Sequence, residues 1–144
     1  MHSRFLQSMS RSMALVLAIA AMPALANTSK YSFKIQHRSV RGYKNGVTHS
    51  LTSGVLTISG KIKFSPNGRF PTSVGPAPIN IEVRKNTTFG SDLICAITVT
   101  PSGSGDTPFS KTCPSVSAAT FFVDADKHYS DGWTFDVAGG LTTI

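Results

Sequence analysis

From residue 27 onward, apolar side chains recur every second residue, and no window of helical length carries an i, i+3, i+4, i+7 apolar stripe. Such a period places successive side chains on opposite faces of an extended chain, so the expected elements are strands with one face buried. Tyr31, Phe33, Ile35 and His37 alternate with Ser32, Lys34, Gln36 and Arg38, giving a first strand with a basic outer face. In Val55 to Phe64, Leu56, Ile58, Ile62 and Phe64 point one way and Thr57, Ser59, Lys61 and Lys63 the other. Gly60 interrupts that apolar row and marks a bulge or a close approach. Ile79, Ile81 and Val83 alternate with Asn80, Glu82 and Arg84, and Leu93 to Thr100 reads as a strand whose Leu93, Ile97 and Val99 share a face with Cys95.

Pro66, Pro71, Pro76 and Pro78, with Gly68 and Gly75, make residues 65–78 a long connection, because proline donates no ladder hydrogen bond. Residues 101–107 (PSGSGDT) read as a surface loop, and Arg41-Gly42 and Asn45-Gly46 fall in a turn-rich stretch. Ala119, Phe121 and Val123, then Trp133, Phe135 and Val137, look like a closing hairpin. The resulting expectation is all-β: a small antiparallel β-sandwich of about six to eight strands. The strands are too few and too short for an outer-membrane barrel.

Residues 1–26 carry the organisation of a cleaved signal peptide: Arg4 and Arg11 without acidic residues, then the apolar run MALVLAIAAM (13–22), then Ala24-Leu25-Ala26 as a small-x-small cleavage site. The run is too short to span a bilayer, so no transmembrane segment is expected in the mature chain. Two units follow, a signal peptide over 1–26 and a single domain over 27–144, secreted or periplasmic. Cys95 and Cys113 are the only cysteines, and an oxidising compartment makes them a disulfide. Asn27 and Asn86 open N-glycosylation sequons, which matter only in a host that modifies them.

After residue 26 there are twelve Lys and Arg against seven Asp and Glu, a mildly basic balance that suits loose association with anionic surfaces. Lys34, Arg38, Arg41, Tyr43 and Lys44, together with Lys61 and Lys63, would form one anion- or partner-binding patch if their strands were neighbours. No nucleic-acid module is present, and no specific nucleic-acid binding is expected. Asp124, Asp126 and Asp131 are candidate ligands for calcium, the one cofactor the sequence suggests, since hard cations collect carboxylate oxygens. They do not form an EF-hand, because Tyr129 and Phe135 stand where that loop needs Gly and Glu.

No nucleophile elbow, HExxH helix or phosphate loop occurs, and no catalytic residue is assigned. An immunoglobulin-type domain is excluded by Trp133 lying beyond both cysteines instead of between them. The leading expectation is a non-enzymatic module that binds a protein or an anionic surface ligand. Two alternatives are a structural subunit assembling by strand-edge pairing and a small calcium-binding or hydrolytic domain using the Asp cluster.

Overall fold

The computed structural model describes residues 25–42, 44–68, 75–103 and 105–144, so the expected signal peptide, including Ala24, lies almost wholly outside the described residues, as does Tyr43. Among the described residues nine strands run in chain order: β1 (Asn27–Ile35), β2 (Ser39–Arg41), β3 (His49–Leu51), β4 (Gly54–Pro66), β5 (Ile79–Thr87), β6 (Gly90–Val99), β7 (Thr107–Val116), β8 (Ala119–Lys127) and β9 (Trp133–Thr143). They form two antiparallel sheets. One is ordered β1-β9-β4-β7; in the other, β2-β8-β5-β6, the short β3 also pairs with β8. The all-β expectation holds, with nine strands among the described residues against the six to eight expected; β2, β3 and β7 are the ones the alternation did not mark.

The core lies between the sheets and is built from the alternating residues that the sequence marks. Tyr31 and Ile35 of β1, Leu56, Ile58 and Ile62 of β4, and Phe135, Val137 and Leu141 of β9 meet Ile79, Ile81 and Val83 of β5 and Phe121, Val123 and Ala125 of β8. Gly60 proves to be a close approach. In one cross-strand row, Tyr31 pairs with Gly139, Gly139 with Gly60 and Gly60 with Phe109, so two glycines lie between two aromatic side chains. A Cβ at Gly139 would stand 2.6 Å from the Tyr31 hydroxyl, and one at Gly60 would stand 2.8 Å from the Phe109 ring. The Tyr31 hydroxyl donates to the Ser59 carbonyl at 3.0 Å, and burial pushes its pKa well above the ordinary value, keeping it a neutral donor.

Three sequence expectations are corrected. First, β8 and β9 are not a hairpin: β8 belongs to the β5 sheet and β9 to the β4 sheet, and residues 128–132 carry the chain from one layer to the other. Second, Leu93 does not share the face of Cys95. A register shift follows the pairing of Val83 with Cys95, so that Arg84 pairs with Leu93; Ile94 is the extra residue, it packs on the core, and Leu93 is left 52% exposed. Third, β7 carries Pro108 and Pro114 and was not expected as a strand. It is the outer strand of its sheet, where alternate residues turn their N–H away from the ladder and proline is tolerated.

The disulfide joins Cys95 of β6 to Cys113 of β7. These strands are the edges of different sheets, so the bond closes one side of the sandwich. Beside it the Lys111 ammonium donates to the Ala96 carbonyl at 2.6 Å.

Candidate anion-binding face

The expected basic patch divides between the two layers. β9 lies between β1 and β4, and the outward residues of these three strands align in cross-strand rows: Lys34, Asp136 and Lys63; Ser32, Ala138 and Lys61; Lys30, Gly140 and Ser59. Lys34 pairs with Asp136 at 3.4 Å, while Lys61 and Lys63 reach Asp106 at 2.7 and 3.7 Å. The hydrogen bond from Lys61 holds the Asp106 carboxyl below its usual range, with both lysine charges adding to the effect. Lys30, which sequence reasoning did not single out, has no ion-pair partner among the described residues.

Arg41 belongs to the other sheet. It sits on β2, 3.3 Å from Asp124 of β8, and Lys44 lies exposed in the turn that follows. Arg38 is exposed just ahead of β2, and its carbonyl accepts the Lys127 amide. Arg38, Arg41 and Lys44 therefore do not extend the face that carries Lys34, Lys61 and Lys63.

That face holds an open trough of about 790 Å³. Its floor is Gly140, Ala138 and Pro108, and its rim carries Lys30, Lys61 and hydroxyl residues including Thr28 and Thr142. A smaller hollow of about 280 Å³ shares Ser32, Lys61 and Ala138 with it and reaches Lys63 and Asp136. The trough exists because the middle strand, β9, presents almost no side-chain volume there. Four lysines against Asp136 and Asp106 leave this surface with two excess positive charges. The signal for it was present in the sequence as Ala138-Gly139-Gly140, but only the β1-β9-β4 order shows which lysines flank those residues.

The aspartates do not converge. Asp124 accepts from the Gly42 amide at 2.9 Å and from Arg41, with Arg84 at 3.9 Å. Asp131 is fully buried and accepts from the Lys127 ammonium and from the Ala77 and Trp133 amides. Asp126 is half-buried on β8. Among the described residues no three His, Cys, Asp or Glu side chains are grouped so as to hold a metal ion.

One hydroxyl–imidazole pair does form. The Ser29 hydroxyl lies 2.8 Å from His49 Nδ1, yet no carboxylate engages the ring, and Nε2 is buried without a hydrogen-bond partner among the described residues. His49 packs edge-on against Tyr31 and links β1 to the opposite layer. This is a packing contact without the third group that would orient a base. Burial lowers the His49 pKa, so the unfolded chain takes up the proton first as pH falls. The neutral imidazole's contribution is complete above the ordinary value of 6.5 and is lost below it. Urea unfolding at pH 7.5 and pH 5 should show a larger loss for the wild type than for His49→Gln. Equal losses would place the acid sensitivity elsewhere.

No protein-family model matches the chain, and no curated protein matches it. A solved structure of the infectious bursal disease virus Gx strain is similar at 12% identity and a TM-score of 0.42, over 94% of this chain and 42% of the viral one. The chain thus spans less than half of that neighbour.

Proposed function

We propose that the protein is an exported, non-enzymatic binding module that holds anionic ligands on the outer face of the β1-β9-β4 layer. The observation that carries this reading is the trough over Gly140 and Ala138, rimmed by Lys30 and Lys61 and continued by Lys63 in the adjoining hollow, with Lys34 in the same outward row as Lys63. A positive surface with a concave floor concentrates anions and gives them somewhere to sit. The opposite layer has a different character. There Arg41, Asp124, Arg84 and Glu82 form a compensated network, with Arg84 donating to Glu82 at 2.8 Å, which leaves little net field. The disulfide and the basic balance fit a domain that works outside the reducing cytoplasm.

Inorganic polyphosphate serves as a plain linear polyanion for the test. The Lys30→Glu, Lys61→Glu double variant should bind it about tenfold or more weakly and show a shallower dependence on salt, since each phosphate contact contributes to that slope. Lys44→Glu, Lys85→Glu changes the net charge equally at sites away from the trough and should bind nearly as the wild type does. Equal losses in both pairs would reduce the effect to net charge and overturn the assignment of the face. Recovery of the native protein in large surface-bound assemblies would favour a structural subunit instead.

A further inference from the structure

Resting on that reading, we infer that the ligand of the trough is an acidic polysaccharide, a chain of sugar rings bearing carboxylate or sulfate groups. The floor offers the small aliphatic surfaces of Gly60, Gly139, Gly140, Ala138 and Pro108 over the buried Tyr31, a shallow surface suited to the C–H face of a sugar ring. The rim offers what a sugar's hydroxyls and acids need, namely Thr28, Ser32, Ser59 and Thr142 as hydroxyl partners and Lys30 and Lys61 as cations. Lys30 and Lys61 lie on strands two apart and in adjacent outward rows. Their Cα atoms are therefore about 12 Å from each other by ordinary sheet spacings, which is about the span of a disaccharide.

The other anionic polymers need features this face does not offer. Single-stranded nucleic acid is held by aromatic platforms on which bases stack. Here the one aromatic residue among those lining the trough is Tyr31, which is only 5% exposed and packs in the core, so it presents no open ring face for stacking. An extended acidic peptide gains its affinity from main-chain hydrogen bonds at a free sheet edge. The trough lies mainly over β9 and β4, whose backbones are paired on both sides, and it meets the outer strands β1 and β7 only at its two ends, so it runs across the strands instead of along a free edge. A lipid surface calls for exposed apolar side chains that insert beside the cations, and the rim carries none.

The test titrates ¹⁵N-labelled protein with a heparin-derived hexasaccharide and an oligogalacturonate, which separate sulfate from carboxylate, and with an oligothymidylate, a polyglutamate peptide and phosphatidylglycerol vesicles. Either oligosaccharide should bind more tightly than the last three at equal salt and shift the amides of 28–32, 59–61 and 138–142. Filling the trough from its floor with Ala138→Leu, or separately from its rim with Ser32→Leu, should weaken oligosaccharide binding about tenfold while leaving the polyphosphate affinity within about twofold, since no charge is altered. Two outward positions are used so that a folding defect at one leaves the other to decide. Tighter binding of the oligonucleotide, the peptide or the vesicles would overturn the inference, as would full oligosaccharide affinity in both leucine variants. If the lysine pair still lowers polyphosphate binding in that case, the anion-binding reading survives without the sugar.

Discussion

Asp131→Ala should cost about 3–5 kcal/mol of folding stability, the range for removing one partner of a buried ion pair. The side chains of Lys127 and Asp131 are both without solvent exposure, and the ammonium also donates to the Trp133 carbonyl at 2.8 Å and lies 4.4 Å from the centre of the Phe135 ring. Take away the carboxylate and the cation keeps only a carbonyl and an aromatic face. Two backbone donors, Ala77 and Trp133, lose their acceptor in the same step. The pair thus fixes the passage from β8 to β9 and clamps the chain entering β5 against it, with the His128 amide donating to the Pro78 carbonyl alongside. The double variant Lys127→Met, Asp131→Asn removes the stranded charge and keeps a carbonyl acceptor, so it should lose clearly less than Asp131→Ala. Urea unfolding followed by the fluorescence of Trp133, the only tryptophan, measures both. A loss under about 1 kcal/mol for Asp131→Ala would show that solvent reaches the pair.

The alternation that marks the core strands is local, so the inward rows of β4, β5 and β9 could be read directly from the sequence. What decides sheet membership is not local. Lys127 and Asp131 stand four apart where the alternation reads as a hairpin, and only the pairing of β8 with β5 and of β9 with β4 shows that the chain changes layers there, burying both side chains. β8 hides its strand order for a related reason. Phe121 to Ala125 are all buried, because the free edge of β8 is covered by β2 and β3 while Asp124 sits beneath Gly42, so its pattern reads as half an alternation. A Cβ at Gly42 would stand 2.5 Å from the Val123 carbonyl, which explains a glycine that sequence alone files under turns. β7 was hidden by its prolines, whose permission to be there depends on its lying at an edge. The candidate face was half legible. The outward lysines of β1 and β4 followed from periodicity, whereas placing β9 between them, removing Arg41 to the other layer and adding Lys30 required the register.

Replacing both cysteines, Cys95→Ala with Cys113→Ala, should cost about 3 kcal/mol, the loop-closure entropy that an 18-residue separation returns to the unfolded chain. The bond does more than shorten that loop, because β6 and β7 are edges of different sheets and are linked in sequence only through residues 100–106. Both sulfur-bearing residues are buried in the shared core cluster, so their loss also opens space there. Beyond the disulfide, the described polar tie on that side is the bond from Lys111 to the Ala96 carbonyl, which is solvent-exposed and therefore weak. The other side of the sandwich is tied independently, through His49 against Ser29 and Tyr31 and through the Lys127–Asp131 pair. Unfolding of the variant should accordingly begin at one edge. In native-state hydrogen exchange, amides of β6 and β7 should lose protection to the greatest degree while those of β9 and β4, paired on both sides, keep theirs. Uniform loss across both sheets, with the same drop in stability, would mean instead that the two layers open as one cooperative unit and that the bond acts through the unfolded chain alone.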